Sequence, residues 1–97
     1  MLQLQITTDK STEVELIKSA IVSEIRKLEL SIKKTDMVIS KFESKYKISS
    51  ISFINDWTAE NLEGGDNEYV EWSGEFKLRR RLFDKLNSLK GIKYVVH

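Results

Sequence analysis

The sequence predicts a mainly α fold: a long antiparallel, coiled-coil-like helical hairpin with a short connecting helix and short terminal β-strands. Three observations predict it. Large apolar residues recur at alternating steps of four and three, at Val14, Ile21, Ile25, Leu28, Ile32, Ile39, Phe42 and Tyr46, with Lys18 and Thr35 in the two gaps. On a helix these positions make one narrow seam, which must be buried against another helix. A second amphipathic stretch follows, from Glu68 to Lys90, and proline is absent while glycine numbers 4, so little interrupts helix formation.

At the N-terminus, Leu2, Leu4 and Ile6 alternate with Gln3, Gln5 and Thr7, the pattern of a half-buried strand. The segment Met1–Gln5 has no basic start and no long apolar run, and so does not read as a signal peptide. Thr12 with Glu15 three residues on forms a capping box. Helix 1 then runs from about Glu13 to Tyr46, roughly 50 Å at 1.5 Å per residue. A rod of that length needs a long antiparallel partner, another subunit, or both. Ser49 or Ser50 is an N-cap for a short helix over 51–61, with Ile51, Ile54 and Trp57 facing inward. Gly64-Gly65 marks the one clear loop.

Asp66 or Asn67 caps helix 2, which runs from about Glu68 to Lys90. Its acidic residues lie early and its basic residues late, as the helix dipole favours, and Gly91 is a suitable residue to follow its end. The tail Ile92–Val96 is β-branched enough for a strand. Residues 1–97 therefore read as a single helical-hairpin domain. Tyr46, Phe53, Trp57, Trp72 and Phe76 are expected to cluster at its turn.

The apolar residues of helix 2 span about half its circumference at 100° per residue, with Tyr69, Trp72, Phe76 and Phe83 on one side and Leu78, Leu82, Leu86 and Leu89 on the other. Leu16, Leu30 and Met37 lie off the main stripe of helix 1. One helix cannot cover that surplus. Either the short helix covers it, or a second chain does, which makes a homo-oligomer the expected state.

Net charge is +1, yet the charge is segregated. Residues 1–47 carry nine Lys or Arg and seven Asp or Glu; residues 55–75 carry seven acidic residues and no basic one; residues 76–97 carry seven basic residues and Asp84. Such blocks either neutralise each other as solvated faces or meet a charged partner.

No residue constellation looks catalytic. Cys is absent and the one His is His97, which removes thiolate chemistry and leaves zinc without its usual ligands. No Ser sits beside a plausible base. Glu68, Glu71 and Glu75 share a helix face, but carboxylates alone at that spacing read as a solvated face. The expectation is a protein that is not an enzyme, without cofactor or metal. The absence of Cys fits a reducing cytoplasm, and no stretch approaches the length of a membrane span.

The basic run Lys77, Arg79, Arg80, Arg81 and Lys85 is the best nucleic-acid candidate. The three arginines point in three directions, however, and only Lys77, Arg80 and Arg81 lie clear of the apolar half. Arg79 falls inside it, four residues after Glu75, and is expected to be a structural ion-pair residue.

One further pattern spans roughly residues 14–90. Lys45-Tyr46-Lys47-Ile48-Ser49 closes a long helix and Phe53 follows in a short one. Gly65-Asp66 and Glu71-Trp72 then open a second helix carrying Leu82, Leu86 and Leu89. This order resembles the small helical-hairpin proteins encoded beside toxins in prokaryotic toxin–antitoxin pairs. The resemblance implies a protein–protein interaction module that binds and neutralises a partner toxin, and it carries over no catalytic residue. The surfaces expected to meet that partner are the terminal strands, with Leu2, Leu4, Ile6, Tyr94 and Val96, and the basic patch of Lys77, Arg80 and Arg81. The strands pair with each other or add to a partner's sheet edge. The competing readings are a self-associating coiled-coil protein and a small nucleic-acid-binding regulator using the patch from Lys77 to Lys85.

Overall fold

The computed structural model describes residues 3–6 and 11–96, with only the backbone for 94–96. The elements run β1 (Gln3–Ile6), α1 (Ser11–Tyr46), α2 (Ser50–Asp56), a 3-10 turn at Ala59–Asn61, α3 (Gly65–Lys90) and β2 (Lys93–Val96). The chain is a helical hairpin of mainly α class with short strands at its ends. Its contacts group into two compact units, residues 1–31 with 82–97 and residues 32–81, and α1 and α3 each contribute a segment to both.

In the unit of residues 32–81 the seam is dry. Ile32, Thr35, Ile39 and Phe42 of α1 are buried, at the positions the four-and-three spacing selects. Thr35 interrupts the apolar run without leaving a polar group stranded, because its hydroxyl donates to the Ile32 carbonyl at 2.8 Å. The antiparallel register follows from contacts that climb α1 while descending α3: Asp36 pairs with Arg79 and Phe42 stacks on Trp72. Arg79 thus makes an ion pair between the two long helices, with Asp36 of α1.

Connections between the helices are tighter than the sequence indicates. Helix α1 ends with Lys47 in the left-handed region at φ 54°, a conformation more usual for Gly or Asn at that position. Ser49 is the N-cap of α2, and its Oγ accepts from the Ser52 N–H at 3.2 Å. The expected helix over 51–61 stops at Asp56, and a separate turn closes with the Asn61 side chain accepting from the Thr58 N–H at 2.8 Å. The inward face of α2 is also different. Ser50 and Phe53 are buried, Ile54 and Trp57 half-buried, and Ile51 exposed, because the N-cap at Ser49 sets the helix phase and turns Ile51 outward.

Helix α3 begins at Gly65 rather than at a cap on Asp66 or Asn67, both of which are already helical. Gly65 takes φ 60°, and the preceding Gly64 N–H is satisfied by Glu68 Oε1 at 2.6 Å. A Cβ on Gly64 would come within 2.4 Å of Glu68 Cγ. The two glycines therefore do separate work, one supplying the backbone angle and the other the room for a carboxylate. Thr12 is likewise inside α1, which already includes Ser11, so it does not cap that helix.

The unit of residues 1–31 and 82–97 holds Ile6, Leu28, Leu82 and Leu86 as its buried apolar residues, with Val14, Ile17, Ile21 and Ile25 half-buried. Its strands pair in parallel, Gln3 beside Lys93 through Ile6 beside Val96. Helix α3 closes with Gly91 donating to the Asn87 carbonyl at 3.1 Å and Ile92 to the Leu89 carbonyl at 3.3 Å. The exit is a tightened turn in which Gly91 does not use a positive φ.

The seam makes a sharp expectation. Ile32→Asp puts an unpaired carboxylate among apolar neighbours and should cost roughly 3 kcal/mol or more, whereas Leu30→Asp, on an exposed position of the same helix, should leave the melting temperature almost unchanged. Thermal melts of the two variants check this, and equal losses would mean that the seam is misplaced.

Candidate partner-binding site

The most ordered chemistry in the molecule lies around Trp72, and it is structural. Trp72 is 0% exposed. Its ring stacks on Phe53 with centroids 3.8 Å apart and on Phe42 at 5.3 Å. Its indole Nε1–H donates to Ser50 Oγ at 2.8 Å. Ser50 in turn donates both its backbone N–H and its hydroxyl to Glu43 Oε2, each at 2.8 Å. One serine thus ties α1 to α2 and α3 and leaves no polar atom of the set without a partner. Tyr46, Trp57 and Tyr69 pack around this core together with Leu62. The expected aromatic cluster is present, with Phe42 in the place assigned to Phe76, which is half-buried further along α3.

A second network anchors the start of α3. Lys45 Nζ donates to Glu68 Oε2 at 2.8 Å, the Tyr46 hydroxyl donates to Glu68 Oε1, and the same oxygen accepts from Gly64. The Tyr46 oxygen also accepts from the Glu63 N–H at 2.9 Å. The hydrogen bond from Lys45, then those from Tyr46 and Gly64, hold the Glu68 carboxyl down at about 2, against 4.5 for an ordinary glutamate. Lys45 is raised above its ordinary range by the same bond. Glu68 therefore serves as an anchor within the fold, not as one of three carboxylates on a solvated face.

The residues expected to meet a partner fall in different surroundings. Ile6 is 4% exposed, so its side chain is spent inside its own unit, and Leu4 is half-buried. Leu2 lies outside the described residues, and for Tyr94 and Val96 the backbone alone is described, in β2. What β1 and β2 do present is backbone. They form a two-stranded sheet, so among the described residues each strand has one unpaired edge. In the other unit, Lys77, Arg80 and Arg81 are exposed as expected, while Arg79 is engaged with Asp36.

Several apolar side chains remain on the surface: Leu16, Val22 and Leu30 in one unit, and Met37, Ile51, Val70 and Leu78 in the other. Helix α2 does not cover the surplus apolar arc of α1. A shallow groove of about 410 Å³ is lined by Glu24, Leu28, Asp84, Lys85, Ser88 and Leu89. Among the described residues no group of three His, Cys, Asp or Glu is placed to hold a metal ion, and no helix is long and apolar enough to cross a membrane. Compared with known protein families, curated proteins and solved structures, the chain matches none.

Two outcomes follow from these networks. Ser50→Ala leaves the Trp72 indole N–H buried without an acceptor and should lower stability by about 1–3 kcal/mol, measured by chemical denaturation. The pH dependence of Glu68 runs in one direction. A carboxyl depressed in the folded state contributes stability that is complete above its ordinary value and is lost as pH falls towards the folded value, here from 4.5 down to about 2. Glu68→Gln should be less stable than the wild type at neutral pH, and the gap in melting temperature should close across that window. A gap that is constant with pH would show that the network does not hold the carboxylate.

Proposed function

We propose that the chain is a non-enzymatic protein-interaction module, antitoxin-like, which binds and neutralises a partner toxin in a prokaryotic cytoplasm. The observation that carries the reading is the parallel β1–β2 pair with its two unpaired edges. A two-stranded sheet is marginal on its own, and three or more strands are the usual minimum. A strand from a partner adds main-chain hydrogen bonds along such an edge, with alternate side chains giving selectivity. The buried Ile6 and half-buried Leu4 support this division of labour: the inner side chains hold β1 in place, and its backbone remains to be paired. The order of residues from Lys45 to Leu89 supports the same reading through its resemblance to toxin-neutralising hairpins.

The test starts with purification of the untagged protein from its source and identification of what travels with it. A toxin-like companion is expected, and the chain should relieve the growth arrest which that companion causes. Deleting residues 1–7 or 92–97 should abolish relief while circular dichroism still reports most of the helix. Relief that survives both deletions would overturn the strand-edge reading, and the absence of a companion would overturn the function. The exposure of Lys77, Arg80 and Arg81 favours one competitor, a nucleic-acid regulator. Binding to RNA or DNA that falls steeply with salt would select it.

A further inference from the structure

The outer face of α3 within the unit of residues 32–81 carries its charge in order. Asp66, Glu71, Gly74, Lys77, Arg80 and Arg81 are exposed, as are Val70 at 68% and Leu78 at 37%. At 100° per residue Val70, Glu71, Lys77, Leu78 and Arg81 all fall within about 60° of Gly74, and Asp66 and Arg80 border that arc on one side. The carboxylates precede Gly74, the cations follow it, and Val70 and Leu78 stand four residues to either side. The helix dipole does not account for this order. Its effect fades within the first and last turn, and Arg81 lies more than two turns before the end of α3 at Lys90. Pairing along the helix does not use it either. No Lys or Arg stands three or four residues from Asp66 or Glu71, and no Asp or Glu stands three or four residues from Lys77. Lys77 and Arg81, four apart, repel each other.

We propose that a second copy of the chain covers this face, its α3 antiparallel to the first, with a twofold axis at Gly74. Reversal about residue 74 brings Val70 of one copy to the level of Leu78 of the other, Glu71 to the level of Lys77, and Asp66 close to Arg80 and Arg81. Every helix face reverses onto itself in position. Here the reversal also exchanges carboxylate for cation and sets apolar against apolar. Gly74 then stands against its own counterpart, where the missing side chain lets two backbones approach. Among the described residues nothing lies within 4 Å of the Cβ it lacks, so the fold of one copy leaves that room open. Charge decides the occupant. A nucleic acid or an anionic membrane attracts Lys77, Arg80 and Arg81 but is repelled by Asp66 and Glu71 on the same face, whereas the reversed copy complements both halves. The contact is isologous and closes at two chains. A seam of a few turns is small for a specific interface, so the pair forms reversibly. This pairing is independent of the strand-edge reading above and is tested separately.

Sedimentation of the full chain, in a concentration series up to about 1 mM at low and high salt, is the first measurement. Two chains per particle are expected at low salt, separating as salt rises. Asp66→Lys/Glu71→Lys makes the face wholly cationic, and Lys77→Glu/Arg80→Glu/Arg81→Glu makes it wholly anionic. Each variant alone should weaken pairing by about tenfold or more, with circular dichroism unchanged. Mixed in equal amounts they should form a two-chain particle, because each then meets its opposite. The register has its own readout, since the chain contains no Cys. Under mild oxidation Gly74→Cys should join two copies at least about tenfold faster than Met37→Cys, an exposed position on α1, because a disulfide needs the two backbones within about 7 Å. A single-chain mass for the wild type throughout overturns the proposal, as does pairing that survives both charge variants, or a Gly74→Cys chain that joins no faster than the Met37→Cys one. A wild-type monomer that binds an RNA duplex or phosphatidylserine vesicles, and loses that binding in the anionic variant, assigns the face to that polyanion and overturns it equally.

Discussion

Trp72 joins α1, α2 and α3 through a single ring. Its ring lies against Phe42 of α1 and Phe53 of α2, and its single polar atom is satisfied by Ser50. Aromatic rings bury much area for few rotatable bonds, so one residue can fix three helices where aliphatic packing would need several. The indole N–H imposes the constraint that the neighbourhood obeys. It needs an acceptor in a dry core, the acceptor is a serine at the first turn of α2, and that serine needs Glu43 in turn. The length of the connection from Tyr46 to Ser50 and the left-handed Lys47 are what bring Ser50 to that point.

The Glu68 network extends the same logic to the start of α3. Where a helix would ordinarily begin at a side-chain cap, this one begins at a glycine pair, and a carboxylate one turn in reaches back to the chain. The carboxylate is held by Lys45 and Tyr46, the last two residues of α1. The end of one helix and the beginning of the other are therefore stabilised as a single object, and the 7-residue α2 is clamped between them.

The long-range pattern was legible and the local phase was not. The seam from Ile32 to Phe42, the two long helices and the terminal strands follow from apolar periodicity, which reports burial directly. The inward face of α2 does not, because a helix of seven residues has too few turns for periodicity to outweigh its cap, and Ser49 turns Ser50 rather than Ile51 inward. Arg79 was recognisable as a residue inside an apolar arc, but its partner Asp36 lies 43 positions away, beyond any local pairing rule. Ser50 and Glu68 gave no signal as network centres, since a serine and a glutamate in a polar stretch are ordinary. Of the expected partner residues, the exposed trio Lys77, Arg80 and Arg81 followed from the helical wheel. Ile6 did not, because alternation tells which side of a strand is apolar without telling what covers it.

The parallel pairing of β1 with β2 sets an order of events in synthesis. Gln3 pairs with Lys93, so on the ribosome β1 has no partner until about 90 further residues have been made. The contacts of residues 32–81 span far shorter loops and close sooner. During that interval β1 is an unpaired strand, open to any neighbouring edge, including that of a nascent chain on the same message. The residues that complete this sheet are thus the last to be made, and the end of the chain decides when its beginning is ordered.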